Sequence, residues 1–130
     1  FRREDFFGVC EPGHRLAGRS VPLDELHGER LILREAGSGT RAIFEDALHR
    51  LNDTLDSFES IVTISEFEAI KSLVADGLGI SFLYAPVVKR ELAQGKLARF
   101  DLADVPMSGA FYFACLKDNL FSGIWAEWMQ

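Results

Sequence analysis

The chain has 130 residues, 48% hydrophobic and 26% charged, which suits one folded domain with a real core and excludes a disordered segment. A net charge of −6 argues against direct nucleic-acid binding by this stretch, since a domain that grips phosphates carries a basic balance. No apolar run approaches the roughly 20 residues of a membrane helix and the first residues lack a signal-peptide pattern, so a soluble, reducing, cytoplasmic setting with no membrane partner is expected.

Eleven phenylalanines point to a well-filled core. Cys10 and Cys115 lie far apart inside apolar runs, without a CxxC or a metal-ligand spacing. Both read as small core residues, and neither a metal nor a cofactor is expected. The chain opens on Phe1 and enters a strand-like run almost at once, as a piece of a longer protein would.

In chain order, "DFFGVC" (5–10) predicts a strand and "EPGHRLAGRS" a turn-rich connection. A short helical turn follows Pro22, and "RLILR" (30–34) is a buried strand ending at a glycine turn. The next helix, about 39–51, puts Ile43, Phe44, Ala47, Leu48 and Leu51 on one face and Arg41, Glu45, Asp46, His49 and Arg50 on the other. "NDTLDSFES" reads as polar loop, and "IVTIS" (61–65) as a strand. The helix "EFEAIKSLVAD" has a capping-box start in Ser65 and Glu68 and a stop in Gly77. "LGISFLY" (78–84) is a strand, Pro86 opens a helix that Gly95 ends, and "KLARFDL" and "GAFYFACLK" are strand-like. The tail spaces Phe121, Ile124, Trp125 and Trp128 as a helix does, and its stripe reads as core packing.

Strands alternating with helices of this length predict an α/β fold with a parallel-type layer. Ligands of such sheets sit at the carboxyl ends of strands, near helix N-termini. Two turns therefore stand out, Gly37–Arg41 and Thr63–Phe67. "GSGTR" lacks the lysine and the glycine spacing of a phosphate loop, and its glycines flank Ser38 too closely for a nucleophile elbow. It is either a glycine-freed ligand turn or a helix start that Ser38 or Thr40 caps, and the residues weigh the two equally. Ser65 is explained by its capping box and Thr63 by strand preference. His14, His27 and His49 have no nucleophile at a recognisable spacing, and no carboxylate pair suits acid–base work, so no enzymatic activity is expected.

"LILREAGSGTR", "IKSLVADGLGISFLY" and "GKLARFDL" closely resemble the effector-binding domain of LysR-type transcriptional regulators. The opening stretch with its "P-x-H-x-L-A" turn resembles that family too, and the most specific signal is "V-x-x-G-x-G-I", here Val74, Gly77, Gly79 and Ile80. The resemblance implies a bilobed domain like a type II periplasmic binding protein, each lobe a three-layer αβα unit with a mixed, mostly parallel sheet. It implies that residues 12–106 form a complete second lobe, that 1–11 and 107–130 are parts of the first, and that the chain crosses a hinge near 11–14 and 103–109. The winged helix-turn-helix of the family, its only DNA contact, and the first half of lobe I would lie outside this sequence.

The resemblance further implies that a small-molecule effector, anionic in one version, binds between the lobes. Ser38, Gly39 and Thr40 would donate to it, Thr63, Ser65 and Phe67 would line it, and Arg41 would balance an anion or sit on the surface. Ligand binding would shift the conformation of a homodimer or homotetramer, paired in part through the helix at 40–51. One redox-sensing branch carries a cysteine where Ser38 and Gly39 lie, and its absence here argues against peroxide sensing. The alternative is a solute-binding protein of a transporter, built on the same fold.

Overall fold

Within residues 5–104, the part of the chain that the computed structural model describes, the predicted alternation of strand and helix is present. The strands are β1 (Phe6–Cys10), β2 (Ser20–Val21), β3 (Arg30–Leu33), β4 (Ser60–Thr63), β5 (Ser81–Tyr84) and β6 (Ala98–Leu102). The helices are α1 (Gly39–Arg50), α2 (Phe67–Ala75) and α3 (Ala85–Ala93). The expected strand at 109–117, the helical tail and Cys115 lie outside the described residues.

β1 pairs antiparallel with β5 on one side and β6 on the other, while β2 joins β6 and β4 joins β3 in parallel. A bridge between Leu31 and Ile80 connects the two sheets, with the Ile32 amide donating to the Ile80 carbonyl (2.8 Å) and the Ile80 amide to that of Arg30 (2.9 Å). The spatial order is β2-β6-β1-β5-β3-β4, a mixed sheet in which β1 runs against the other described strands. That matches the mostly parallel sheet of the expected α/β class.

Strand alternation then divides the apolar side chains between two faces. Phe6, Cys10, Leu31, Leu33 and Phe82 pack with α1 residues Ile43, Phe44 and Leu48 in one core. Phe7, Val9, Ile32 and Leu83 pack with Ile70, Val74 and Val88 of α2 and α3 in the other. A sheet covered on both sides needs near-continuous apolar strands, which is why "FFGVC" and "RLIL" read as runs rather than alternations. The phenylalanines fill the α1 side: Phe82 stacks on Phe44 at 4.4 Å between centroids and meets the edge of Phe100 at 5.5 Å.

The family-specific segment has a separate physical reason at each position. Val74 and Ile80 are fully buried. Gly77, at φ +80°, closes α2 in a Schellman turn, with the Leu78 amide on the Leu73 carbonyl and its own on that of Val74 (3.0 Å each). Gly79 lets β5 approach β3, since a Cβ there would lie 2.7 Å from the Arg30 carbonyl oxygen.

Several details differ from the sequence pattern. β1, which the resemblance assigns to the partner lobe, is hydrogen-bonded along both edges, to β5 and to β6, inside this sheet. Residues 11–14, the expected hinge, follow Cys10 at the end of β1 that faces the start of β6. The chain enters β1 at the opposite edge, where the Ala85 amide donates to the Asp5 carbonyl (2.9 Å). Ser65 caps nothing: α2 begins at Phe67 with Glu66 as its extended N-cap residue and no side-chain cap. The turn-rich stretch after Cys10 ends in β2, and the polar loop after α1 holds a 3-10 turn at Leu55–Ser57 that Thr54 caps.

Candidate functional site

β3, β4 and β5 run in parallel, so their carboxyl ends share one edge, with Leu33 directly opposite Thr63. That register brings together the two turns singled out in the sequence.

After β3 the chain reverses through Glu35–Ser38, closed by the Ser38 amide on the Glu35 carbonyl (3.1 Å). Gly37 is the third residue of this turn at φ +94°, the left-handed position of a type II turn that glycine fits without strain. Ser38 is then the N-cap of α1, its Oγ accepting from the Arg41 amide at 3.1 Å. Thr40 Oγ1 lies 3.5 Å from Ser38 Oγ, and both residues are buried. Of the two roles weighed for Ser38, capping is visible in the geometry. Gly39 and Thr40 form the first turn of α1, where no acidic side chain opposes an anion.

Arg41 was expected on the solvent face of its helix, yet its side chain is only 14% exposed. Nη1 donates to the Arg34 carbonyl (3.1 Å), tying α1 to the end of β3. Nε lies 3.5 Å from Glu45 Oε1, an ion-pair distance without hydrogen-bond alignment, and is buried without another partner among the described residues. Arg41 is therefore an anchor more than an open cation.

On the second turn Thr63 and Ser65 are exposed and Phe67 is half-buried. Phe67 is the junction of the site. The Arg34 guanidinium lies 4.5 Å above its ring centroid, and Tyr84, at the end of β5, meets it edge to face at 5.8 Å. Arg34 Nε also donates to Glu35 Oε1 at 3.0 Å. That hydrogen bond, with one from the backbone of Glu35, holds the Glu35 carboxyl below its ordinary value. Arg34 thus spans the two turns.

Arg34 and Tyr84 were not among the site residues expected from sequence. The available signal was an arginine directly after a buried strand, at the edge where parallel sheets bind ligands.

Beside Phe67 a cavity of about 310 Å³ opens between α2 and α3, lined also by Lys71, Pro86, Val87 and Glu91. Lys71 is buried, with Nζ at 2.8 Å from Glu68, 2.9 Å from Glu91 and 2.9 Å from the Val87 carbonyl. Burial alone would lower its pKa, but the two carboxylates outweigh it and hold the ammonium above its ordinary value.

The histidines stay apart, His14 on Glu29 (3.0 Å) and His27 on Asp53 (2.7 Å). Asp53 also accepts from the Ser57 hydroxyl, so the acid stands between imidazole and hydroxyl, whereas a catalytic triad puts the imidazole there. Among the described residues, no group of three or more His, Cys, Asp or Glu side chains could hold a metal ion, and no helix is long and apolar enough to cross a membrane.

The layered sheet, with the two turns at its carboxyl edge, is a periplasmic-binding-protein-like fold. Its likeness to the periplasmic sulfonate-binding protein SsuA of Methylobacillus flagellatus KT, at TM-score 0.59 and 14% identity over 74% of this chain and 27% of that one, shows the fold alone. The chain belongs to the LysR substrate binding domain family, whose pattern matches residues 1–124. It is 32% identical over 115 residues to the HTH-type transcriptional regulator CfxR of Cupriavidus necator, covering 88% of this chain and 35% of CfxR. It therefore spans about a third of that relative's length. It is also similar to the regulatory domain of Synechocystis PCC6803 CcmR in complex with 2-PG, with TM-score 0.66 and 26% identity over 92% of this chain and 64% of that one.

Proposed function

We propose that this chain is the ligand-sensing lobe of a DNA-binding transcription regulator, and that its effector binds where the carboxyl ends of β3, β4 and β5 meet a partner lobe. The observation that carries the reading is the parallel register of Leu33 with Thr63, which sets the "GSGT" turn and the Thr63–Phe67 turn side by side. Ser38, Gly39 and Thr40 would meet the effector from the start of α1, and Thr63, Ser65 and Phe67 from the start of α2. Arg41 would act by holding the end of β3.

The entry to β1 and the exit from β6 lie at this same edge, where chain crossings to a second lobe would flank the site. The crossing before β1 would then precede Phe6 rather than follow Cys10. Ligand closure of the lobes would bias a cytoplasmic dimer or tetramer, and DNA would be met by a segment outside this sequence, in keeping with the charge of −6. The solute-binding alternative shares the fold, but CfxR, at 32% identity, is a named transcriptional regulator.

The test is a thermal-shift screen of the full-length parent against small carboxylates, amino acids and phosphorylated metabolites, 2-PG among them. The parent runs beside a variant carrying Ser38→Ala and Thr40→Ala. A ligand that stabilises the parent and not the variant supports the site. A ligand that stabilises both equally returns the two hydroxyls to capping and packing and takes them out of the effector site.

A further inference from the structure

Arg34 is held in a way that its ion pair with Glu35 does not explain. Its side chain is 16% exposed and sits over the Phe67 ring, which Tyr84 supports from the side. Its position is therefore set by packing. Glu35, in contrast, is 48% exposed and rides on the reversing turn. Its two carboxylate oxygens face Nε at 3.0 Å and Nη2 at 3.5 Å, the forked side of the guanidinium that an incoming carboxylate or phosphate would use.

The half-exposed Glu35 carboxylate that leaves this fork is rehydrated at little cost, because water replaces most of what the ion pair gives it. A ligand oxyanion that takes the place of Glu35 at this fork recovers the same two charge-assisted contacts.

We propose that Arg34 is the oxyanion-reading group of this site and that Glu35 is an internal stand-in, displaced when a ligand's carboxylate or phosphate takes the guanidinium. This rests on the cleft reading above and deepens it by assigning the ligand an anionic head and the site a built-in competitor. Phe67 is the positioning residue, since the guanidinium rests over its ring whether or not the anion is present.

The experiment uses the full chain with inorganic phosphate and, separately, acetate, at ionic strength held constant with chloride. Binding is read by thermal shift and by the Arg34 Nε–Hε resonance of 15N-labelled protein. The wild type binds at least one of the two anions. Glu35→Gln, which removes the competing charge, tightens binding about two- to fivefold, the size of one exposed ion pair. Arg34→Gln abolishes it, and Phe67→Leu weakens it while leaving Arg34 charged. Phosphate alone acting assigns a phosphorylated head, and acetate alone a carboxylate.

The inference is overturned if neither anion moves the Arg34 resonance, if Glu35→Gln weakens or fails to change binding, or if a folded Arg34→Gln protein binds as the wild type does. Should the parent's effector response survive Arg34→Gln and yet disappear with Ser38→Ala and Thr40→Ala, the cleft stands and this assignment fails. Should the parent's response ignore both sets while phosphate follows Arg34, the anion site stands apart from the effector.

Discussion

Replacing Lys71 by methionine keeps the length of the buried stem and removes its ammonium. Three acceptors lose their donor: Glu68, Glu91 and the Val87 carbonyl. Glu68 is 76% exposed and returns to water, whereas Glu91 is 12% exposed and keeps only the exposed Arg90 at 3.8 Å. Removing one partner of a buried pair costs about 3–5 kcal/mol, and the adjoining cavity, which admits water, puts this case near 3. With an unfolding entropy of about 2.1 cal/mol/K per residue, 130 residues convert that into a fall in Tm of roughly 11 °C.

The pH dependence separates this cause from a simple packing defect. In the wild type burial would raise the Glu91 carboxyl, but the hydrogen bond and charge of Lys71 outweigh it and hold the group below its ordinary value of 4.5. A depressed carboxylate stabilises the fold above that value, and the contribution is lost as pH falls below it. In Lys71→Met burial is opposed only by a backbone hydrogen bond and the more distant Arg90, so the folded pKa rises and the carboxylate's contribution at neutral pH falls. The difference between the two proteins should therefore be largest near pH 7 and shrink toward pH 4. Adding Glu91→Leu should recover most of the loss. Urea unfolding across this pH range decides the matter: a penalty under about 0.5 kcal/mol, or one independent of pH, would refute the reasoning.

Ser38→Ala should cost about 1 kcal/mol and speed hydrogen exchange at the Arg41 amide, which loses its Oγ acceptor; unchanged exchange there would deny the cap. Gly79→Ala sets a Cβ 2.7 Å from the Arg30 carbonyl oxygen and should destabilise the fold by about 1–3 kcal/mol, read by chemical denaturation. Gly8→Ala drives a methyl into the Phe100 ring, which packs directly over Gly8, and should cost about 2 kcal/mol or more. Burial pushes the Cys10 thiol up to about 11, with Glu11 and Glu29 adding to the effect. In a Cys115→Ser background it should resist thiol reagents at pH 8 until the protein unfolds, and reaction at the rate of a free cysteine would contradict its burial.

Much of the fold was legible because its signals are local. Pro86 and Gly95 bracket α3, Gly77 stops α2, and the apolar runs mark strands buried on both faces. The glycine turn before α1 was legible for the same reason, since a left-handed residue and a capping hydroxyl are needed within four positions. Where local signals competed, the sequence misled. Ser65 and Glu68 have the capping-box spacing, yet the chain stays extended through Glu66, where Phe67 can pack between Arg34 and Tyr84.

The sequence by itself determined the α/β class, the order of the principal elements, the two candidate turns and membership of the LysR substrate binding domain family. Only the tertiary structure decided that β1 lies at the centre of this sheet, because strand neighbours are chosen by pairing between residues such as Gly8 and Phe100, which stand far apart in the chain. It also turned Arg41 inward and laid Arg34 across Phe67. A long cationic side chain can run to solvent or fold back onto an aromatic face at similar cost, and what it settles on is a surface that other elements bring to it.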